Sequence, residues 1–347
     1  MKKVITYKGK TMTTSEQSEM SDEQFASLRE EFYAKPAWSS VVEEIGGLIN
    51  HVSFKNGNIT DYYFKDLMAQ TKVLQNKWTM ADFFEHKPLL DMFYSRTLKN
   101  KKVFTSDNVL TNIETAFRLA RYKVSNYPIR SIADVLERYN VNNKWYDMSC
   151  GWGARLTGAL AYGVDYYGTD PNVLLVPRLN QLVEDWERET WTTNMVDIRC
   201  QGSEEFVPEW ENLMGLCFTS PPYFDLEDYQ FGNQSYKPGM SYQHWLDSFL
   251  EPTIQNCYRY LIDEGYLALN VKDFEKHNLE RDTQEIAERN GFVLVEVITL
   301  ENIARIKSTS ELGNSDENIM VFMKKGMEHT HVPLFRPQQL NLFEFIN

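Results

Sequence analysis

The sequence predicts an α/β fold, with a mostly parallel sheet that ends in an antiparallel strand pair, preceded by a helical N-terminal region. Three observations predict it. Upstream of about residue 140, apolar residues recur at helical intervals, as in residues 89–93. Downstream, short β-rich runs alternate with helical windows, which is typical of a parallel sheet covered on both faces. The last two β-rich runs have no helical window between them, so we expect them to pair antiparallel.

The elements are assigned in chain order from these patterns. The predicted strands cover residues 145–149, 166–170, 195–200, 216–219, 266–271, 292–299 and 319–323. The predicted helices among them cover residues 154–161, 173–188, 242–261 and 282–289. We therefore divide the chain into a flexible N-terminus (1–21), a helical region (22–122), a sheet domain (123–325) and a C-terminal tail (326–347).

Composition narrows the class of protein. The chain has 347 residues, of which 42% are hydrophobic, enough for a sizeable core. No apolar run is long enough to span a bilayer, and the chain opens on Met1-Lys2-Lys3 and polar sequence, so we expect a cytoplasmic protein. The four cysteines show no metal-ligand spacing, and no metal site is expected.

The net charge of −13 argues against general coating of nucleic acid, because phosphate binding depends on local lysine and arginine. Any nucleic acid must therefore be held by local basic patches. Lys99, Lys101 and Lys102 form the first candidate patch. The alternative is that these lysines belong to a solvated helix face.

A cofactor site is predicted where the first two strands of the sheet domain end. Gly151-Trp152-Gly153 stands between a strand and a helix, where glycines allow close backbone approach and a helix offers free N–H groups. Asp170 ends the next strand, and a carboxylate there can accept both hydroxyls of a ribose. Leu156 replaces the third glycine of the pyrophosphate fingerprint, which favours S-adenosylmethionine over a dinucleotide.

A short proline motif follows the fourth predicted strand. The sequence there is Thr219-Ser220-Pro221-Pro222-Tyr223, and it resembles the catalytic motif of the DNA amino-methyltransferases, in which Ser, Asp or Asn precedes Pro-Pro and an aromatic residue. The resemblance covers roughly residues 125–324 and implies a Rossmann-like methyltransferase fold with S-adenosylmethionine as cofactor. The alternative is simple proline punctuation after a strand.

The chemistry of an exocyclic amine explains these residue types. Its lone pair is delocalised into the ring, so hydrogen-bond acceptors must grip the amine before it attacks a methyl group. Ser220 offers its hydroxyl oxygen, and the resemblance assigns the second acceptor to the Pro221 carbonyl. Pro222 helps to fix the backbone, and Tyr223 with Phe224 can stack on a base that has been flipped out of a duplex.

The resemblance also implies further contacts. Candidate cofactor residues are Asn126 before a helix, Asp147 at the start of the segment that leads to Gly151 and Gly153, and Ser203 and Glu204 after the third strand. Asn126 and Glu204 are equally explained as residues favoured at helix starts. Tyr229, in the loop after the proline motif, is a candidate nucleic-acid contact, with loop packing as the alternative.

Three functions remain open at this point. Ser220 favours methylation of cytosine N4 over adenine N6 in DNA, which requires DNA as partner. The second reading keeps the chemistry and takes RNA as substrate. The third is a non-catalytic nucleic-acid-binding subunit that retains the fold, although Gly151, Gly153 and Asp170 are all in place.

The C-terminal tail holds a separate motif. Gln339-Leu340-Asn341-Leu342-Phe343 resembles the peptide by which bacterial DNA polymerases and repair proteins dock on the sliding clamp. Gln339, Leu340, Leu342 and Phe343 are the predicted contacts, and a bacterial or phage-infected cell is the expected setting. The alternative is that these residues cover part of the core.

Overall fold

The computed structural model describes residues 3–14, 20–73, 76–98, 106–230, 233–274, 277–300 and 317–326. Its strands are β1 (Lys3–Tyr7), β2 (Lys10–Thr14), β3 (Lys72–Val73), β4 (Lys144–Asp147), β5 (Asp165–Thr169), β6 (Val196–Arg199), β7 (Met214–Thr219), β8 (Glu227–Asp228), β9 (Leu261–Val271), β10 (Phe292–Leu300) and β11 (Glu317–Lys324).

The α-helices alternate with these strands after residue 140 and dominate before it. They are α1 (Asp22–Tyr33), α2 (Trp38–Ile49), α3 (Gly57–Gln70), α4 (Met80–Glu85), α5 (Lys87–Leu98), α6 (Val109–Leu119), α7 (Ile129–Tyr139), α8 (Ala154–Ala161), α9 (Val176–Thr190), α10 (Tyr242–Trp245), α11 (Glu251–Tyr260) and α12 (Leu279–Arg289). A π-helical stretch, Leu246–Leu250, joins α10 to α11. The predicted helical N-terminal region and the predicted alternation are both confirmed.

The central sheet has seven strands in the order β10-β11-β9-β7-β4-β5-β6. β6, β5, β4, β7 and β9 run parallel, and β11 lies antiparallel between β9 and β10. The predicted parallel sheet with an antiparallel end pair is confirmed. The position of β11 between its two neighbours depends on pairing between distant segments, which periodicity does not reveal.

Helices cover both faces of the sheet, and neighbouring residues on each strand point to opposite faces. Trp145 packs into a core with α2, α3 and α7–α9, whereas the adjacent Tyr146 packs into a core with α10–α12. Both side chains are fully buried. The carboxyl ends of the parallel strands remain as the edge where a ligand site can form.

The predicted flexible N-terminus is wrong for residues 3–14. β1 and β2 form an antiparallel hairpin whose two turn residues, Lys8 and Gly9, have φ of 48° and 70°. Two positive φ angles suit a two-residue hairpin turn, because its twist matches that of the strands. Ile5 is buried against the N-terminal helices. The serine- and threonine-rich composition predicted a loose terminus, and the Lys8-Gly9 turn was not recognised as a hairpin.

The predicted boundary at residue 123 is also wrong, because the helical region contributes to two cores. The hairpin, α1 and α4–α6 enclose one core, which includes Phe32 and Phe117. α2 and α3 belong to the core of the sheet domain, where Phe64 lies with Trp145. The sheet domain therefore recruits two helices from upstream, and α3 reaches the predicted cofactor loop.

Candidate active site

The strand order brings the predicted motifs to one edge of the sheet. The glycine loop (residues 148–153) follows β4, Asp170 follows β5, and Ser220 follows β7. β4 is hydrogen-bonded to both β5 and β7, so the three ends are neighbours. The next strand, β9, pairs Leu269 with Thr219 and so places Asn270 beside Ser220. Cofactor and catalytic motifs thus meet at the carboxyl ends of parallel strands.

The two glycines of the cofactor loop adopt left-handed backbone angles. Gly151 has φ of 55°, and Gly153, which caps the N-terminus of α8, has φ of 76°. A Cβ on Gly153 would lie 2.8 Å from Cε2 of Phe64, closer than side chains allow. Gly153 is therefore required both by its backbone conformation and by the approach of α3. The sequence had suggested only the approach of a ligand.

Asp147 is fully buried, so the prediction that it touches the cofactor is wrong. Its Oδ2 accepts from Arg155 Nε at 2.8 Å and from the Tyr166 hydroxyl at 2.7 Å. Its Oδ1 accepts from the Thr219 hydroxyl at 2.8 Å and the Ser149 N–H at 3.2 Å. With four partners, the carboxylate joins β4, β5, β7 and α8 beneath the loop.

Arg155 is a buried residue that sequence reasoning missed. Its guanidinium also donates to the Ser149 carbonyl and lies over the Tyr127 ring at 5.6 Å. Burial alone lowers the pKa of the guanidinium, but Asp147 raises it above its ordinary value. Arg155 therefore stays charged and holds the loop backbone in place. The sequence offered only one indication of this pair, namely that the opposite charge of Arg155 follows Asp147 by eight positions.

Asp170 is anchored beside the glycine loop by two backbone N–H groups. Its Oδ2 accepts from the Gly151 N–H at 3.2 Å, and its Oδ1 accepts from the Asn172 N–H at 3.0 Å. Burial raises the pKa of the carboxyl to about 6. The carboxylate is thus anchored at the glycine loop and keeps lone pairs for a ligand. The residues fit the ribose of an adenosine cofactor.

Ser203 and Glu204, after β6, differ in accessibility. Ser203 is buried, and its hydroxyl pairs with the Thr253 hydroxyl at 2.8 Å, so the predicted cofactor contact of its side chain is wrong. Its carbonyl accepts from Asn256 Nδ2 at 2.9 Å. Glu204 is exposed, and partial desolvation raises the pKa of its carboxyl. Only Glu204 stays available to a ligand.

Asn126 links the N-terminal helices to the glycine loop. Its Nδ2 donates to the Thr60 hydroxyl of α3 at 2.6 Å and to the Trp152 carbonyl at 3.4 Å. Its Oδ1 accepts from the Tyr127 N–H at 3.0 Å. The Asn126 side chain therefore connects α3 to the backbone of the glycine loop. Any effect of Asn126 on cofactor binding would act through Trp152.

The proline motif forms a polar cluster with β9. Tyr223 donates its hydroxyl to the Asn270 carbonyl at 3.0 Å and accepts from Asn270 Nδ2 at 3.1 Å. Asn270 Nδ2 also lies 3.4 Å from Ser220 Oγ. Pro221 is buried and Pro222 partly buried, so the backbone between Ser220 and Tyr223 is held rigidly. Asn270 is a site residue that sequence reasoning missed.

Phe224 does not reach the surface, so the prediction that it contacts nucleic acid is wrong. It is buried, and its ring lies 5.6 Å from Tyr242 and 6.1 Å from Trp245 between centroids. Its φ of 47° is unusual for a bulky residue. This turn directs the ring inward against α10, because the apolar surface there outweighs the backbone strain.

Tyr229 turns toward the glycine loop. Its ring centroid lies 6.1 Å from that of Trp152, and its hydroxyl donates to Glu227 Oε2 at 2.7 Å. Its backbone N–H donates to Gln234 Oε1 at 2.9 Å. Burial raises the pKa of the hydroxyl. The residue lies beside the predicted cofactor site, and its contact with nucleic acid stays a prediction.

Some predicted contacts lie outside the described residues. They are Lys99, Lys101 and Lys102 of the basic patch, and Gln339, Leu340, Leu342 and Phe343 of the tail. In the part of the chain that the structure describes, no group of histidines, cysteines and carboxylates is arranged to hold a metal ion. No helix there is long and apolar enough to cross a membrane.

The sheet order and the site together define a class of protein. A seven-stranded sheet with an antiparallel end pair, a glycine loop after its first parallel strand and an acidic residue after the next constitute the Rossmann-like fold of S-adenosylmethionine-dependent methyltransferases. Residues 214–341, less than half of the chain, match the family model of the N6/N4 methyltransferases, described as DNA methylase. The match includes the proline motif, so this part of the chain is similar in sequence to DNA methylases.

Solved structures resemble the fold at low sequence identity. A structure named as a class I S-adenosylmethionine-dependent methyltransferase from Listeria monocytogenes is 13% identical, with a TM-score of 0.46, covering 85% of this chain and 91% of its own. An S-adenosylmethionine-dependent O-methyltransferase from Thermotoga maritima is 11% identical, with a TM-score of 0.40, covering 62% of this chain and 72% of its own. Among curated proteins, none matches the sequence. The fold assignment therefore rests on the strand order of this chain.

Proposed function

We propose that the protein transfers a methyl group from S-adenosylmethionine to an exocyclic amino group of a DNA base. The observation that carries the proposal is the position of Ser220. It directly follows β7, which pairs with β4, and the glycine loop after β4 is hydrogen-bonded to Asp170. When bound, S-adenosylmethionine supplies an electrophilic methyl group on its sulfonium. The family match to DNA methylases supports DNA as the substrate.

Ser220 and the Pro221 carbonyl are proposed to accept the two hydrogens of the target amine. Gripping both hydrogens favours a pyramidal nitrogen, whose lone pair is available for attack. The Ser220 hydroxyl donates toward Tyr223 Oη and accepts from Asn270 Nδ2, each at 3.4 Å, which leaves one lone pair on Oγ for an incoming amine. Because these groups are already fixed, they act by positioning and electrostatics, without a covalent intermediate.

Tyr223 is proposed to stack on the target base. Its hydroxyl is held by both the carbonyl and the side chain of Asn270, so its ring orientation is set before a base arrives. A base within a duplex cannot reach a pocket at the sheet edge, so it must be flipped out or be single-stranded. The other predicted aromatic, Phe224, is excluded from this role by its burial.

Cytosine N4 is the proposed target atom, with adenine N6 as the alternative. The resemblance associates a serine at the first motif position with cytosine enzymes. The basic patch of Lys99, Lys101 and Lys102 is proposed to hold the DNA backbone, since the chain carries a net charge of −13 and needs local positive charge to bind phosphate.

The experiment uses methyl-labelled S-adenosylmethionine with unmethylated duplex DNA, single-stranded DNA and RNA of matched sequence. Mass spectrometry of the digested nucleosides identifies the methylated base. N4-methylcytosine in DNA is the expected product, and N6-methyladenine would revise the target base. Label in RNA alone would overturn the DNA assignment, and no label in any substrate would favour the non-catalytic binding subunit.

We also propose that the tail docks on a bacterial sliding clamp. The proposal is supported by the sequence of residues 339–343 alone. A short peptide near a chain terminus can present Leu342 and Phe343 as apolar anchors, with Gln339 as a hydrogen-bonding residue. Docking would raise the local concentration of the enzyme at replicating DNA, which offsets its unfavourable net charge.

A further inference from the structure

The segment after the proline motif is held at several points. Its two-residue strand β8 pairs antiparallel with β3 of the N-terminal region, with Glu227 opposite Val73. Gln234 bridges the following turn, since its Oε1 accepts from the Tyr229 N–H at 2.9 Å and its Nε2 donates to Asp228 Oδ1 at 3.1 Å. Glu227 and Tyr229 therefore occupy positions set by the fold.

Tyr229 connects Glu227 to the glycine loop. The Tyr229 ring approaches Trp152 of the glycine loop, and its hydroxyl donates to Glu227 Oε2 at 2.7 Å. Two charged residues of the cofactor site act on the pKa of that hydroxyl, which Asp170 raises and Arg155 lowers. The hydrogen bond from Tyr229 therefore leaves the Glu227 carboxylate one side chain away from the glycine loop.

Glu227 is a carboxylate without a cation. It is partly buried, and desolvation raises its pKa, while the hydrogen bond from Tyr229 lowers it. Among the described residues, no lysine, arginine or histidine forms an ion pair with Glu227, and no positive charge acts on its pKa. Removing a carboxylate from water is costly unless a positive charge or several donors compensate. Such a group beside a binding site is suited to a cationic ligand.

The order of the strand ends indicates which cation this is. Asp170 at the end of β5 suits a ribose, and Ser220 at the end of β7 suits the acceptor of the methyl group. In S-adenosylmethionine the sulfonium joins the ribose side to a methionyl group that carries an α-ammonium. The glycine loop lies between these two strand ends. Glu227 is connected to that loop through Tyr229, on the segment that continues from Ser220.

We propose that Glu227 binds the α-ammonium of the methionyl group of the cofactor and that Tyr229 orients its carboxylate. The inference rests on the proposed function, because it needs the cofactor to lie across the glycine loop. Glu227 thereby distinguishes ligands that carry the methionyl ammonium from adenosine ligands that lack it. The glycine loop itself contains no carboxylate, and Asp147, which precedes it, is fully buried.

Two thioethers test this assignment by isothermal titration calorimetry with the full-length protein. S-adenosylhomocysteine retains the methionyl ammonium, and 5′-methylthioadenosine lacks the whole amino-acid end. Glu227→Gln keeps the shape of the side chain and removes its charge. Asp225→Asn, an exposed position in the same loop, is the matched control.

Loss of a charge-assisted hydrogen bond should raise the Kd of Glu227→Gln for S-adenosylhomocysteine by about tenfold or more. The Kd for 5′-methylthioadenosine should change by less than about twofold, and Asp225→Asn should leave both constants unchanged. An unchanged Kd for S-adenosylhomocysteine in Glu227→Gln would overturn the inference. Equal weakening of both ligands would also overturn it, because that pattern indicates a displaced loop.

The titrations distinguish failure of the Glu227 contact from failure of the proposed function. If the wild-type protein binds neither thioether, the proposed function itself is wrong. If it binds both with equal affinity, the cofactor site stands and the ammonium contact is absent. Tyr229→Phe provides a further check: it should weaken S-adenosylhomocysteine selectively, by less than Glu227→Gln does, since it removes only the orienting hydrogen bond.

Discussion

Lowering the pH should weaken ribose binding through protonation of Asp170. Burial raises the pKa of this carboxyl to about 6, with a further increase from the charge of Asp147 and a decrease from that of Arg155. A carboxylate with a raised pKa takes up its proton as the pH falls through that value, well above the range of an ordinary aspartate. Protonation removes negative charge and an acceptor from the proposed ribose site.

The magnitude follows from the fraction of Asp170 that is ionised. If only the ionised form binds, the apparent Kd grows by a factor of one plus ten to the power of pKa minus pH. With a pKa of about 6, the factor is roughly 1.1 at pH 7 and roughly 11 at pH 5. Affinity should therefore fall about tenfold between these values, equivalent to about 1.4 kcal/mol.

The assay is calorimetric titration with 5′-methylthioadenosine between pH 5 and pH 7.5. This ligand keeps the ribose and lacks the methionyl end, so titration of Glu227 does not enter the result. Asp170→Asn should bind more weakly at pH 7 and lose the tenfold dependence, since an amide does not titrate. A flat profile for the wild-type protein, or the same slope in Asp170→Asn, would refute the role of Asp170.

The remaining predictions concern catalysis, packing and the tail. Ser220→Ala should retain S-adenosylhomocysteine binding and lose turnover by about 10²-fold or more, as for other transition-state hydrogen-bonding groups, and wild-type turnover in a labelling assay would exclude Ser220 as the acceptor. Gly153→Ala should destabilise the fold by at least about 1–2 kcal/mol, measured by urea unfolding, because of its φ of 76° and the 2.8 Å approach of Phe64; unchanged stability would contradict the packing argument. A fluorescent tail peptide should bind a bacterial clamp, and Leu342→Ala or Phe343→Ala should abolish binding; no binding by either the wild-type peptide or the full-length protein would remove the docking proposal.

Contiguous residues determined much of the sheet domain. Alternation of β-rich and helical windows predicted all seven strands of the central sheet, because short β-rich runs between helical windows can be recognised in the local sequence. The glycine loop, Asp170 and the proline motif were likewise recognisable, since each requires special residues within a few positions. Their position at strand ends followed from the boundaries of those strands.

The burial of individual side chains was decided only by the tertiary structure. The sequence placed Phe224 and Ser203 at ligands, yet both are buried in the same core region as α10 and α11. Asp147 is saturated by partners from three other elements. Whether a side chain faces a cavity or a neighbouring helix depends on what packs against it, and that information lies elsewhere in the chain.

The meeting of distant residues was also decided only by the fold. Asn270 reaches Ser220 across 50 positions, and the pairing of β8 with β3 brings residue 73 to Glu227. Neither contact has a local pattern, because each arises when strands or segments far apart in sequence pair with one another. The sequence alone thus identified the residues that carry the chemistry, whereas folding selected the residues that orient them, since orientation requires contacts made by non-local packing.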